Sequence, residues 1–250
     1  MLYMLQNLLQ KFVVIPLKIL LNKQRLISID YFRVLLNFHA ETMLKKRQPL
    51  TIGILLWCCF CLISCSDSLP TLKPLATNAV ILAFGDSLTF GTGANSQTES
   101  YPAVLQQLTG RTVINAGIPG EISQQGLLRL PLILEQTKPD LVVLCHGGND
   151  LIRKLGNDQL KSNLEKMISM IQTSGAEVVL IAVPRFSVTL SVPDLYTELA
   201  STYKLPIELT IIPELERNSA TKSDTIHPNA MGYQLLAERI RGLLFTAGGL

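Results

Sequence analysis

The sequence is poor in charged and aromatic residues and in histidine. Of its 250 residues, 16% are charged, 6% are aromatic and three are histidines, whereas an average globular chain carries about 25% charged residues. Cysteine is scarce as well, because only Cys145 lies beyond residue 65. The other four stand close together, at Cys58, Cys59, Cys61 and Cys65. Residues 66–250 therefore cannot form an internal disulfide, and they have no cysteine spacing typical of a metal site.

A net positive charge is also missing from most of the chain. Residues 1–65 hold eight Lys or Arg and two acidic residues, a net charge of +6, whereas residues 66–250 carry a net charge of −3. The formal +3 of the whole chain therefore belongs to its front. A domain that binds nucleic acid presents a basic surface, so the longer part of the chain is predicted to have no nucleic-acid partner.

An uncharged apolar stretch follows the positive charges of the front. Lys45-Lys46-Arg47 precede a run of 19 residues without charge, 48–66, whose middle, 50–64, is apolar. Positive residues followed by an apolar segment are typical of a secretory signal. The run contains Leu62-Ile63-Ser64-Cys65, which is similar to the lipobox of bacterial lipoproteins. Residues 43–65 are therefore interpreted as a lipoprotein-type signal, with Cys65 as the lipidated residue.

Two other interpretations of the apolar segment 50–64 stay open. It could be an uncleaved membrane anchor, since about 20 residues span a bilayer, or an ordinary cleaved signal. All three interpretations export residues 66–250. We therefore expect the periplasmic side of a bacterial membrane, as a lipoprotein, a single-pass protein or a soluble periplasmic protein. Residues 1–42 fit none of them, so we expect either that translation starts at Met43 or that residues 1–42 form a disordered extension.

Strand and helix patterns alternate in the rest of the chain. Residues 66–78 are polar with two prolines and predict a tether, and residues 79–250 predict one domain. Strands are predicted at 79–84, 111–115, 140–145, 177–183 and 207–212, and helices at 101–108, 122–136, 157–173, 194–203 and 229–244. Short apolar strands that alternate with helices indicate an α/β fold, with about five parallel strands covered on both faces. Sites in such sheets form at the carboxyl ends of the strands.

Residues suited to acyl transfer follow the predicted strands. Ser87 stands in a turn after the first strand, Gly120 in a glycine-rich loop after the second, and Asn149 after the third. Near the C-terminus, Asp224 precedes His227 by three residues, a spacing at which a carboxylate can orient an imidazole. Each has a plainer interpretation on its own, as a helix cap, a glycine-proline loop or an Asx turn. Together they place a nucleophile, hydrogen-bond donors and a base at one edge of the sheet.

These segments resemble the four conserved blocks of the SGNH (GDSL) hydrolases. The resemblance extends from about residue 80 to residue 244. Residues 115–131 look like the bacterial periplasmic subgroup of thioesterases, lysophospholipases and arylesterases. The residues that carry the resemblance are Gly85-Asp86-Ser87-Leu88, Gly120, Gly148-Asn149-Asp150 and Asp224-x-x-His227-Pro228.

The resemblance implies a three-layer α/β/α fold of the flavodoxin-like kind and hydrolysis of carboxylic esters or thioesters through an acyl-enzyme. Ser87 would be the nucleophile, His227 the base and then the acid, and Asp224 the group that orients His227. The oxyanion would be bound by the N–H groups of Ser87 and Gly120 and by the side-chain amide of Asn149. No metal or organic cofactor is implied, and the expected partner is a small acyl ester or thioester.

Two alternatives to this esterase stay open. A carbohydrate O-deacetylase would use the same triad, and nothing in the motifs separates the two. A non-catalytic lipoprotein that binds glycan or lipid would share the scaffold, although the intact set of site residues argues against it.

The segment Pro184–Ser187 departs from the pattern of the subgroup and is expected to border the acyl pocket, which leaves the acyl-chain length open. His146 has no acid at the spacing of a catalytic pair and is interpreted as a strand-end residue.

Overall fold

The computed structural model describes residues 70–187 and 189–250. The predictions for residues 1–42, for the apolar segment 50–64 and for Cys65 lie outside these residues. These described residues belong to one compact unit. Within the described ranges, no helix is both long and apolar enough to cross a bilayer.

Five strands alternate with eight α-helices along the described part of the chain. The strands are β1 (Val80–Gly85), β2 (Thr112–Gly117), β3 (Leu141–Cys145), β4 (Glu177–Ile181) and β5 (Ile207–Glu208). The helices are α1 (Ser87–Phe90), α2 (Tyr101–Thr109), α3 (Ser123–Thr137), α4 (Gly148–Ile152), α5 (Asn157–Thr173), α6 (Leu195–Tyr203), α7 (Ile211–Arg217) and α8 (Ala230–Thr246).

The strands form one parallel sheet in the order β2-β1-β3-β4-β5. β1 and β3 are central, and nearly every residue in both is buried. Continuous apolar runs of this kind fit strands whose two faces are both covered. Gly85 lies level with Gly117 on one side and with Cys145 on the other. The loops that follow β1, β2 and β3 therefore leave the sheet side by side.

Helices cover both faces of the sheet. α2 packs against α8, and α3 packs against α5. Right-handed crossovers put the helix between β1 and β2 and the helix between β2 and β3 on opposite faces of this strand order. Large side chains fill the space between the layers, and Phe84, Tyr101, Tyr196 and Tyr233 are among the fully buried ones. The structure confirms the predicted three-layer α/β/α fold with five parallel strands.

The predicted fifth strand, 207–212, is shorter than expected. β5 comprises only Ile207–Glu208, and α7 begins at Ile211. The carboxylate of Glu208 ends the strand, because its Oε1 accepts hydrogen bonds from the N–H groups of Thr210 at 2.8 Å and of Ile211 at 2.9 Å. Apolar residues at 211 and 212 thus belong to a buried helix, which a short apolar run cannot distinguish from a strand.

The tether prediction is wrong over the part of 66–78 that the structure describes. Leu72 and Leu75 are buried in the core. The N–H of Leu72 donates to the carbonyl of Ala247 at 2.8 Å, and the N–H of Leu75 donates to the carbonyl of Gly249 at 3.0 Å. The two leucines cover apolar surface at the end of α8, so this segment is docked on the domain.

Candidate active site

Ser87 occupies the first position of α1, directly beyond the end of β1. Its neighbours shape the turn. A Cβ at Gly85 would overlap the carbonyl oxygen of Cys145, so glycine is needed there. The buried carboxylate of Asp86 accepts a hydrogen bond from the N–H of Leu88 at 3.1 Å, and burial raises the pKa of Asp86. Asp86 therefore caps α1, while the Ser87 side chain stands half-buried at the edge of the sheet.

His227 links Ser87 to a carboxylate. Its Nε2 lies 3.1 Å from Ser87 Oγ, and its Nδ1 lies 2.7 Å from Oδ2 of Asp224. A carboxylate at this position accepts a hydrogen bond from the Nδ1–H group and leaves Nε2 free to accept the proton of the serine hydroxyl. The structure thus brings together Ser87, His227 and Asp224, the three residues predicted to form a triad.

Asp224 is held mainly by its own loop. Its Oδ1 accepts hydrogen bonds from the N–H groups of Ile226 and His227, both at 2.8 Å. Partial burial raises the pKa of Asp224, but the hydrogen bonds from Ile226 and His227 outweigh burial and lower the pKa overall. Half of the Asp224 side chain is exposed to solvent. Asp224 is therefore an ionised surface carboxylate at neutral pH.

Lys222 fastens this loop to α7. Its Nζ donates to the carbonyl of Thr225 at 3.1 Å and lies 3.3 Å from Oε2 of Glu216. Glu216 is buried, and burial raises the pKa of its carboxyl. The sequence analysis did not single out this pair, because the contact depends on how the loop folds back onto α7.

The residues that carry the predicted oxyanion donors, Ser87, Gly120 and Asn149, line the same cavity. Gly120 has a φ of +79°, a left-handed conformation that glycine adopts at little cost. Among the described residues, the N–H groups of Ser87 and Gly120 have no hydrogen-bond acceptor. The side-chain amide of Asn149 donates to the carbonyl of Glu121 at 3.0 Å and lies 3.4 Å from Oδ2 of Asp86. These groups can stabilise a negatively charged oxygen that forms on a substrate carbonyl.

A small cavity joins the triad to the donors. Its volume is about 190 Å³. It is lined by Asp86, Ser87, Leu88, Thr92, Pro119, Gly120, Gly148, Asn149, Ile152, Phe186, Ile226 and His227. A groove of about 640 Å³ adjoins it and shares Ile152, Phe186 and Ile226. The cavity therefore contains every predicted site residue except Asp224, which lies behind His227, and Cys65, which lies outside the described residues.

A charged and largely buried network behind Gly120 was missed by the sequence analysis. Arg129 forms two hydrogen bonds of 2.7 Å with the carboxylate of Glu121. His146 Nε2 lies 3.1 Å from the same carboxylate. We call these three residues the Arg129–Glu121–His146 network. His146 is indeed a strand-end residue, but it has an acidic partner 25 positions away, beyond the reach of local spacing.

The chain matches the model of the GDSL-like lipase/acylhydrolase family over residues 83–235, more than half of its length. It belongs to this family. Family membership makes the chain a hydrolase of ester bonds, and the matched residues include Ser87, Gly120, Asn149, Asp224 and His227.

Related proteins fit this assignment. An arylesterase of Vibrio mimicus is 34% identical over 173 residues, which are 63% of this chain and 84% of that protein. The thioesterase 1/protease 1/lysophospholipase L1 of Escherichia coli K12 is 30% identical over 168 residues, 63% of this chain and 79% of that protein. A crystal structure of TesA has 28% sequence identity and a TM-score of 0.62, and the similarity covers 67% of this chain and 99% of TesA.

No group of three or more metal-ligating side chains occurs within residues 70–187 and 189–250. Cys145, the one cysteine of the described ranges, is a buried free thiol, and burial raises its pKa. It lies at the end of β3 and does not line the cavity.

Proposed function

We propose that this ester hydrolase acts through an acyl-enzyme formed on Ser87. His227 Nε2 takes the hydroxyl proton as Ser87 Oγ attacks the substrate carbonyl, and then gives that proton to the leaving oxygen or sulfur. In the second half of the reaction, His227 takes a proton from a water molecule as the water oxygen attacks the acyl carbon. It then gives that proton to Ser87 Oγ as the bond between Oγ and the acyl carbon breaks and the free acid leaves. Asp224 orients His227 and stabilises its charged form. The contact of 3.1 Å between Ser87 Oγ and His227 Nε2 carries this proposal.

The oxyanion is bound by three donors in the proposed mechanism. The N–H groups of Ser87 and Gly120 are available, and the amide of Asn149 provides the third hydrogen bond. Because all three lie on segments that leave neighbouring strands, their spacing is set by the sheet. Loss of one such donor lowers kcat by about 10²- to 10³-fold, which is the loss that we expect for Asn149→Ala.

The preferred acyl group is short. Ligand pockets of drug-sized molecules measure roughly 300–1,000 Å³, and the cavity beside Ser87 has only about 190 Å³. Phe186, Ile152 and Ile226 stand between this cavity and the adjoining groove. We infer that the acyl group occupies the cavity and that the alcohol or thiol portion extends into the groove.

A series of 4-nitrophenyl esters from acetate to palmitate tests both statements. The full-length protein in detergent should hydrolyse acetate and butyrate best, with kcat/KM falling as the chain lengthens. Ser87→Ala should abolish the reaction, and a fluorophosphonate should label the wild type on Ser87 only. Equal activity in Ser87→Ala would refute the role of Ser87, and a preference for palmitate would refute the size argument. Activity confined to acetate would favour a carbohydrate O-deacetylase.

We also propose that the protein is exported and held at a membrane by lipidated Cys65. The charge-free run after Lys45-Lys46-Arg47 and the lipobox-like Leu62–Cys65 support this. Labelling with a radioactive fatty acid in bacterial cells should be lost in Cys65→Ala, with Cys61→Ala as the matched control. Labelling that survives in Cys65→Ala would contradict the proposal. A tryptic peptide from residues 26–33 would contradict a start at Met43.

A further inference from the structure

The Arg129–Glu121–His146 network is polar and separate from the triad, and it is buried except for part of the Arg129 side chain. Glu121 is 5% exposed and His146 is fully buried. Arg129 Nε and Nη2 each donate to one carboxylate oxygen of Glu121 at 2.7 Å. None of the three residues lines the cavity beside Ser87. The network therefore cannot contact a substrate there, and its effect on the reaction must pass through its neighbours.

Those neighbours are the oxyanion donors. Glu121 directly follows Gly120, and its own carbonyl accepts the hydrogen bond from the Asn149 amide at 3.0 Å. One residue thus connects two of the three donors, one through the chain and one through a hydrogen bond. A shift of the Glu121 carboxylate would move the N–H of Gly120 and the amide of Asn149 together.

Arg129 ties Glu121 to the ends of two strands. Its Nη2 donates to the carbonyl of Ala116 at 2.8 Å and lies 3.3 Å from the carbonyl of Gly85. Gly85 is the last residue of β1, which leads to Ser87, and Ala116 is near the end of β2, which leads to Gly120. The guanidinium also lies 4.1 Å above the ring of Phe84. A planar group with fixed donors suits this task, whereas a lysine could not make the paired contacts.

His146 completes the connection at the third strand. It follows β3 and precedes the Gly147-Gly148-Asn149 segment. Its Nδ1 accepts a hydrogen bond from the N–H of Gly147 at 2.9 Å, so the ring proton lies on Nε2 and faces Glu121. The hydroxyl of Tyr196 holds the His146 carbonyl at 2.9 Å. The carboxylate of Glu121 is therefore connected to the carboxyl ends of β1, β2 and β3.

A buried ion pair is a poor source of stability, because desolvating two charges offsets most of their attraction. Such groups are best known for fixing one register among several. We propose that Glu121, Arg129 and His146 are positioning residues that fix the Gly120 N–H and the Asn149 amide at the distance that the oxyanion requires. This inference rests on the proposed acyl-enzyme mechanism, since it assigns the network to the oxyanion donors of that mechanism.

Kinetics of network variants test this proposal. In Glu121→Gln and His146→Leu, kcat should fall by about 10- to 100-fold, because small displacements of catalytic groups have effects of this size, while KM for 4-nitrophenyl acetate changes less than threefold. Binding of a tetrahedral boronate, which resembles the transition state, should weaken by the same factor as kcat. His146→Gln, whose amide can replace the Nε2 donor, should recover most of the loss.

Several results would overturn the proposal. Folded variants with unchanged kcat would do so, as would a rise in KM at constant kcat, or a loss in His146→Gln equal to that in His146→Leu. If Glu121→Gln does not fold, the two His146 variants and Arg129→Lys decide the matter. Failure of the acyl-enzyme mechanism would look different, because the wild type would then lack ester hydrolysis or would retain it in Ser87→Ala.

Discussion

The Asp224–His227 loop lies at the surface, with half of the Asp224 side chain exposed, whereas the Gly120 loop is backed by the buried Arg129–Glu121–His146 network. The first loop is organised by short-range hydrogen bonds, chiefly from its own N–H groups to Asp224. The second depends on contacts between residues 8 and 25 positions apart. A carboxylate that stays charged can remain in water, but a set of donors must be fixed before the oxyanion forms.

This difference predicts that substitutions in the two regions affect activity and stability differently. Changes to the Asp224 side chain in the exposed loop should reduce activity with little effect on stability, because that side chain is half exposed. Changes around the buried network should affect activity and stability together. Four variants or conditions test this comparison, from the largest expected effect to the smallest.

Asp224→Asn should separate activity from stability most clearly. Oδ1 already accepts two backbone hydrogen bonds, so the NH2 group of asparagine would replace Oδ2 and donate to Nδ1. His227 would then carry its proton on Nε2, the wrong tautomer, and kcat should fall by about 10³- to 10⁴-fold. Because the side chain is half exposed, Tm should change by only a few degrees. Asp158→Asn, an exposed acid at the start of α5, is the control and should match the wild type. A kcat within tenfold of the wild type would contradict the assigned role of Asp224.

Gly126→Ala should disturb the buried network without removing a polar group. A Cβ at this position in α3 would lie 2.6 Å from His146 Nε2, so the ring must move away from Glu121, and kcat should fall by about tenfold. Gly242→Ala in α8 is the matched control, since a Cβ there meets no atom within 4 Å. The control should keep its kcat and gain up to about 1 kcal/mol of stability. Identical behaviour of the two variants would argue against a network that transmits such shifts.

Lys222→Met should make the Asp224–His227 loop less well ordered. It removes the hydrogen bond to the Thr225 carbonyl and leaves the buried Glu216 without its cation, so we expect a lower Tm and a kcat reduced a few-fold. Lys222→Met with Glu216→Leu removes the unpaired carboxyl and should restore Tm but not kcat. Thermal melts and ester hydrolysis measure the two effects. Recovery of kcat together with Tm would show that Lys222 affects only stability.

The pH dependence of stability should report the pairing of Glu121. Burial raises the pKa of Glu121, but the hydrogen bonds from His146 and Arg129 outweigh burial and hold the pKa below its ordinary value of 4.5. A lowered folded-state pKa stabilises the protein above the unfolded pKa, and this contribution is lost as the pH falls through the folded value. The difference in unfolding free energy between wild type and Glu121→Gln should be constant from pH 8 to about pH 5. It should shrink below pH 4.5, and a difference that persists to pH 3 would contradict the pairing.

Local patterns were sufficient to predict the parallel sheet, apart from the length of β5, and to place Ser87, Gly120 and Asn149 after neighbouring strands. Apolar runs of five or six residues mark β1 and β3, and the glycine and polar residues that follow them fix where side chains leave the sheet. Asp224 and His227 could be paired because their contact spans only three positions. The same local reasoning could not detect Glu121 with His146, because nothing in either segment indicates that two strands bring them within 3.1 Å.

Other errors have related causes. The sequence analysis predicted no helix at α1, α4 or α7. Each of these helices has seven residues or fewer and depends on tertiary packing, because isolated helices of this length are unstable in water. The segment with Pro70 and Pro74 has the composition of a linker. Its leucines nevertheless pack onto α8, since burial of apolar side chains outweighs local preference for an open chain.

The contacts of Leu72 and Leu75 with Ala247 and Gly249 also fix the end of the domain at which this segment is attached. They lie near the start of the strands, where Lys73 pairs with Glu177, the first residue of β4. The catalytic edge is at the other end of the sheet. Pro70 therefore begins the described part of the chain at the end of the sheet that lies opposite the cavity beside Ser87.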